Sequence, residues 1–466
     1  ALPISTFQFE TIALLTAANL GNIGQKISCR ELNNAEYIIK PASYTPLVGD
    51  ITFANGAHAQ LQIENYLFNA INYSQYNGGG QLSSLYEDLN NTFNQELNIT
   101  LFGDSITWGV GATGTATEDP RDKTQSDPRN NFASKSWANE FKRSILATLG
   151  ENSTYALTNH PASPSGESII TMQKDYATFP IGNRFPSVIV GSGTDVFDEN
   201  DGDTLLNSQR RLTVATGATV GMSFVMTGTE FTLVYSQLVN GADYELYIDS
   251  TLIGQFSTSG SAQFTVRRTH TFTRIVDKTI EIRAVYVGSV STVSVRIEAI
   301  ELTKKIRIKN QGIIGIDTRR GLWSYPDTDG PYGTYPTDNS FGDGLALTFD
   351  DDYVIYQLGT NDRGNGNLNA PEFMIRNLEM LINKQPNDTK EIIMVANPTD
   401  PTADTTGSGR FMQMQDVQKQ LSRFSKAQSI DFIDNYTLFE RLDPLSITSD
   451  GLHPNDLGHS MISKNI

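Results

Sequence analysis

The chain has 466 residues, a formal net charge of −17, 38% hydrophobic residues and 19% charged residues. That length exceeds what one hydrophobic core usually supports, so two or three domains are expected, and the composition suits a folded, loop-rich, partly β protein. So acidic a surface repels phosphate backbones and argues against a nucleic-acid partner, while the single cysteine, Cys29, excludes intrachain disulfides and cysteine-rich zinc sites.

In chain order, residues 1–64 hold short β-like runs with a helical start near Thr11–Asn19. That stretch is mildly apolar but has no basic flank, so no signal peptide is expected. No run anywhere approaches the ~20 apolar residues that span a bilayer, so membrane insertion is not expected either. Residues 65–98 form a polar linker: a Gly/Asn break at Asn72–Gly80, then a helical stretch, Leu82–Leu97. Ile99–Phe102 is a short apolar run ending at a glycine, which predicts a buried strand, and Ser136–Leu149 predicts an amphipathic helix. Over residues 187–303 the pattern changes to alternating runs rich in Val, Ile, Thr and Tyr, such as Thr219–Met226, Tyr244–Ile248 and Thr279–Tyr286, which suggests a β-sandwich. From residue 304 onward α/β character returns, with strands at Lys305–Lys309, Tyr353–Leu358, Ile392–Ala396 and Asp431–Asp434. Helices are expected at Pro371–Lys384, at Met412–Ser429 and after Pro454. The economical arrangement is one α/β domain, residues 99–186 and 304–466, with the β block inserted in it, because loops with neighbouring ends tolerate insertions.

Three short segments carry chemistry. Gly103-Asp104-Ser105-Ile106-Thr107 follows the first strand, Gly359-Thr360-Asn361-Asp362 follows Tyr353–Leu358, and Asp450-Gly451-Leu452-His453-Pro454 precedes the last helix. Loops at the carboxyl ends of parallel strands line one crevice. A serine hydroxyl needs a base to become a nucleophile; His453 is that candidate for Ser105, and Asp450, three residues earlier, can hold the imidazole tautomer. The developing oxyanion needs donors: the Ser105 N–H, a glycine N–H, and a side-chain amide such as Asn361. Each piece alone is also an ordinary turn or helix cap. Together, in this order, they are far more specific.

The three segments resemble the first, third and fifth blocks of SGNH (GDSL-like) hydrolases, with Ile106 where Leu is commoner. Asn310–Thr318 resembles the second block, with Gly315 aligned to its oxyanion-donating glycine and Gly312 as the other assignment. The resemblance implies a three-layer α/β/α flavodoxin-like fold, here with an inserted β-sandwich and a small N-terminal β-rich domain. It implies catalysis by Ser105, Asp450 and His453, an oxyanion hole of Ser105, Gly315 and Asn361, and no metal or organic cofactor. A second resemblance lies in Ala18–Gly24, Ala35–Ile39 and Phe53–Leu61, which are similar to the segment preceding the enzymatic part of bacteriophage tailspikes. It implies a homotrimer joined through its N-terminal region to phage tail or baseplate proteins, on a virion acting outside the host cell.

Substrate contacts are expected at Asp104 and Trp108 beside Ser105, and at Trp323 and Tyr325 in the long loop 319–344, as a wall on which sugars stack; aromatic packing of a structural loop is the bland alternative. Asp350-Asp351-Asp352 is expected to be a solvated loop and His459 a helix-surface residue. His58, His160 and His270 have no acidic or nucleophilic context. The expected activity is removal of O-acetyl groups from a bacterial surface polysaccharide, capsule or O-antigen. A lipase or lysophospholipase of the same superfamily would want an apolar groove, whereas loops 111–135 and 319–344 are polar. A non-catalytic receptor-binding module is the remaining alternative.

Overall fold

The computed structural model describes residues 79–114, 131–150, 153–159, 168–176, 187–199, 208–286, 292–322, 351–364, 371–401, 411–440 and 442–466. It also describes Arg129, Thr204 and short strands within residues 7–76 and 329–334. The strands Phe7–Phe9, Lys26–Cys29, Ala35–Lys40, Ile51–Thr52 and His58–Leu61 form a separate five-stranded sheet. The helical start expected near Thr11–Asn19 lies outside the described residues.

The elements that position the site are α1 (Gln81–Asn90), β1 (Glu96–Gly103), α2 (Ser105–Trp108), α3 (Trp137–Leu149), β2 (Ser168–Tyr176), β3 (Val220–Gln237), β4 (Gln263–Val285), β5 (Thr292–Gly312), α4 (Thr318–Gly321), β6 (Tyr353–Gln357), α5 (Pro371–Asn383), β7 (Lys390–Val395), α6 (Met414–Gln428), β8 (Asp431–Asp434) and α7 (Asp456–Lys464). Five of these strands pair in parallel in the order β5-β1-β6-β7-β8. Numbered along the chain, that is 2-1-3-4-5, the doubly wound order whose switch point lies between the first and third strands. Antiparallel strands flank it, β2 beside β5 and Gln75–Tyr76 beside β8.

Every residue of β6 and of β8 is buried, as are all but the first of β1. A parallel sheet reads this way when helices cover both faces. The helices pack as two pairs, α3 with α7 and α5 with α6. The core between sheet and helices includes Phe102, Ile106, Trp137, Tyr353, Met394 and Ile462.

Residues 212–302 build a second, separate core from Met222, Phe224, Phe231, Tyr244, Ile282 and Ile297. The long strands β3 and β4 run antiparallel with register shifts at Met226, Gly228 and Glu230. The sheet bends there, so that Phe224 and Phe231, on either side of the bend, meet edge to face with centroids 5.6 Å apart. The boundary expected at 303/304 falls inside β5. That strand pairs antiparallel with β3 through Arg296–Glu301 and parallel with β1 through Lys305–Gly312. One 21-residue strand thus belongs to both cores.

Candidate active site

Ser105 opens the one-turn helix α2 at the carboxyl end of β1. The turn is built for a close approach. A Cβ on Gly103 would lie 2.2 Å from Thr107 Oγ1 and 2.6 Å from the Gln357 carbonyl, so only glycine fits between the strands. Asp104 is the N-cap, its carboxylate accepting from Ile106 N at 2.9 Å. From β6, the Gln357 side chain accepts from Thr107 Oγ1 on its Oε1 at 2.8 Å and donates its Nε2 to Asp104 Oδ2 at 3.2 Å. These contacts hold Ser105 as the first residue of the helix, and its own N–H has no acceptor among the described residues.

His453 Nε2 lies 2.9 Å from Ser105 Oγ, and His453 Nδ1 lies 2.7 Å from Asp450 Oδ2. With Nδ1–H donating to the carboxylate, Nε2 is free to accept the serine proton. The other oxygen of Asp450 accepts the Leu452 and His453 N–H groups at 3.0 and 2.8 Å, so the 450–453 turn is self-bracing. Partial burial pushes the Asp450 carboxyl up, but its hydrogen bonds to His453 and the imidazole charge outweigh that and hold it below the usual carboxylate range. Asn397, at the end of β7, adds an external brace by donating to the Leu452 carbonyl at 3.1 Å.

Gly315 and Asn361 sit in the loops after β5 and β6, the two neighbours of β1. Gly315 has φ +80° with open space where a Cβ would be, and no acceptor for its N–H lies among the described residues. Gly312 plays a different part. A Cβ there would lie 2.2 Å from Trp108 N, and its N–H is taken by Asn310 Oδ1 at 2.9 Å. Gly312 therefore allows β5 to press against α2, and Gly315 is the glycine with an N–H to offer. Asn361 uses one amide hydrogen on the Ile316 carbonyl at 2.9 Å, which leaves the other for a ligand.

Several sequence expectations need correction. Asp104 is 0% exposed and Trp108 is 2% exposed, so neither presents a surface to substrate. The Asp104 carboxyl is occupied in capping and raised by burial, while the Trp108 ring lies under the Arg129 guanidinium, 4.6 Å from its centroid. Arg129 in turn donates to the Asn310 and Gly312 carbonyls at 3.0 and 3.2 Å. His459 is fully buried, not on a helix surface. It accepts from Trp137 N at 3.1 Å and reaches the Val110 carbonyl at 3.1 Å. Asp351 and Asp352 are not a free solvated run: Asp351 is buried and pairs with Lys309 and Thr100, and the half-buried Asp352 pairs with Arg274 and accepts from Asn98 N. Trp323, Tyr325 and Asp350 lie outside the described residues. Gln357, Arg129 and Asn397 were missed; the one visible signal was Gln357, a polar residue closing an otherwise apolar strand.

Among the described residues no group of three or more His, Cys, Asp or Glu side chains could hold a metal ion, and no helix is long and apolar enough to cross a membrane.

Residues 324–461 match the model of the GDSL-like lipase/acylhydrolase family. That span includes Asn361, Asp450 and His453 but neither Ser105 nor Gly315. No curated protein sequence matches the chain. Among solved structures, a peptidoglycan O-acetylesterase is 13% identical over 82% of this chain and 92% of its own, with a TM-score of 0.34. A lipase/acylhydrolase from Enterococcus faecalis is 18% identical over 35% of this chain and 74% of its own, with a TM-score of 0.28. A family two carbohydrate esterase from Clostridium thermocellum, solved with cellohexaose, is 13% identical over 60% of this chain and 96% of its own, with a TM-score of 0.24. At such scores none of these speaks to what this chain acts on. The match over residues 324–461 is the informative one: that part of the chain is similar to the GDSL-like lipase/acylhydrolase family.

Proposed function

We propose that the protein is a serine esterase that removes O-acetyl groups from a bacterial surface polysaccharide. The observation that carries the reading is the continuous relay from Ser105 Oγ through His453 to Asp450, at 2.9 and 2.7 Å, between residues 348 positions apart in sequence. In the proposed reaction Ser105 Oγ attacks the ester carbonyl while its proton passes to His453 Nε2. The tetrahedral oxyanion is met by the N–H groups of Ser105 and Gly315 and the free amide hydrogen of Asn361. Collapse breaks the bond to the sugar oxygen, which takes the proton from His453. Water then attacks the acetyl-serine carbonyl with His453 again as base, the bond to Ser105 Oγ breaks as that oxygen takes the proton back from His453, and acetate leaves.

The polar character of loops 111–135 and 319–344 supports a sugar rather than an acyl chain as the leaving group. A catalytic serine with one histidine base also lacks the pair of carboxylates that cuts glycosidic bonds. Placement on a phage particle as a homotrimer rests on the tailspike-like N-terminal residues alone; light scattering of the purified protein tests the trimer.

The substrate is tested by incubating the protein with the intact polysaccharide, reading acetate by NMR and polymer size by gel filtration. Acetate release at constant polymer size is expected. Shortening without acetate would refute the reading, and release of fatty acid from phospholipid would favour a lipase.

A further inference from the structure

Asp362 follows Asn361 and plays no direct part in the chemistry above. It is 2% exposed, and no cation forms an ion pair with it among the described residues. Its two oxygens accept the Thr318 N–H at 3.2 and 3.1 Å, and one accepts the Thr318 hydroxyl at 2.5 Å. Thr318 is itself fully buried, and its hydroxyl oxygen also accepts from Asn377 Nδ2 of α5 at 3.3 Å. Thr318 lies three residues after Gly315, in the segment following β5.

We propose that Asp362 is a positioning residue for the oxyanion hole, tying the β6 loop that carries Asn361 to the β5 loop that carries Gly315. The inference rests on the esterase reading for its catalytic consequence, though not for its structural one. A helix cap would be local. Asp317 already fills that role for α4, accepting from Arg320 N at 2.7 Å, whereas Asp362 reaches across 44 positions to the segment that follows a different strand. The tie is also costly to keep. Burial, with the nearby Asp317 and Asp104 carboxylates, raises the Asp362 carboxyl to about 7, so its surroundings disfavour the charged form. What the carboxylate gains is simultaneous hold on an N–H and an O–H of one residue.

The same two loops are joined a second time by Asn361 Nδ2 to the Ile316 carbonyl, and Arg320 Nη1 holds the Gly315 carbonyl at 3.0 Å. The Asn361 amide and the Gly315 N–H are thus set relative to one another by a short network with Asp362 as its buried anchor. Donors stabilise an oxyanion only when they are fixed at hydrogen-bond distance before charge develops.

The test compares wild type, Asp362→Ala, Asp362→Asn, Thr318→Val, Asn361→Ala and the Asp362→Ala/Asn361→Ala double variant on p-nitrophenyl acetate. Hydrogen–deuterium exchange over residues 313–318 is followed in parallel. Asp362→Ala is expected to lower kcat by roughly 10- to 100-fold with KM within about twofold, below the 10²–10³ loss for removing a donor outright. Asp362→Asn should recover part of the loss, and Thr318→Val should show a smaller loss of the same kind. The double variant should be barely slower than Asn361→Ala, because both act on one donor set. Exchange over 313–318 should rise in Asp362→Ala. Unchanged exchange overturns the tie itself. Wild-type kcat, or losses that multiply in the double variant, overturn the positioning role. Wild-type activity in Ser105→Ala would instead refute the esterase reading while leaving the exchange result to decide the tie.

Discussion

His459 joins the N-terminus of α3, through Trp137 N, to the Val110 carbonyl just beyond the nucleophile turn. Burial is the main reason its imidazole is lowered to about 4, outweighing the Val110 hydrogen bond and the Asp456 charge. The unfolded chain takes up a proton near 6.5, and the native state resists until about 4. Between those values the unfolded state binds more protons, so native stability falls as pH falls and is fully restored above 6.5. The full term is about 3 kcal/mol, of which about 2 kcal/mol is already lost at pH 5. The wild-type curve alone cannot isolate it. Burial raises Asp362 and Glu391 to about 7, and carboxyls raised in the native state act with the opposite sign, adding stability as pH falls through that range. The difference between wild type and His459→Gln removes those shared terms. Urea unfolding at pH 7 and pH 5 should show the variant less stable than wild type at pH 7, with the gap closing by about 2 kcal/mol at pH 5. A gap that stays constant would mean that His459 protonates without penalty in the native state, and the strut beneath the nucleophile turn would have to be polar and hydrated.

Ser105→Ala should abolish p-nitrophenyl acetate hydrolysis without changing the urea midpoint, and a fluorophosphonate probe should label wild type at Ser105; near-wild-type hydrolysis would refute the assignment. His453→Ala should be more severe than Asp450→Ala in kcat, since Asp450 orients and stabilises while His453 moves the proton. Asn361→Ala should cost about 10²–10³ in turnover with little change in KM, measured under saturating substrate. Replacing residues 187–303 by a short Gly/Ser linker should preserve small-ester hydrolysis, because the two hydrophobic cores are distinct and Lys305–Gly312 keeps its pairing with β1. An insoluble or inactive product would show that the shared strand β5 couples the two cores.

What was legible in the sequence followed from local chemistry. A nucleophile turn, an amide donor and an acid–base pair each demand particular residue types within a few positions, so Ser105, Asn361, Asp450 and His453 could be singled out one loop at a time. What was not legible depended on distant partners. Asp351 and Asp352 look like a solvated acidic run until Lys309, Thr100, Arg274 and Asn98 are brought beside them. Trp108 looks like a stacking platform until Arg129 covers it. His459 left a trace: it stands three residues before Ile462, and that face of α7 is buried. The course of β5 left none, because the chain changes partners at residues 301–305 without changing backbone conformation.

That continuity bears on why the site is scattered so widely along the chain. The strand order 2-1-3-4-5 sets β1 between β5 and β6, so the loops carrying Ser105, Gly315 and Asn361 are neighbours whatever length of chain separates β1 from β5. Lengthening a connection adds closure entropy only logarithmically, each doubling costing about 0.6 kcal/mol. The intervening β block therefore leaves the crevice geometry to the strand pairing, in which Gly312 stands opposite Gly103 and Gln357 opposite the same glycine on the other side. The family match begins at residue 324, after both Ser105 and Gly315. The nucleophile is joined to its oxyanion donors not by sequence proximity but by two strands that flank β1 at a residue with no side chain.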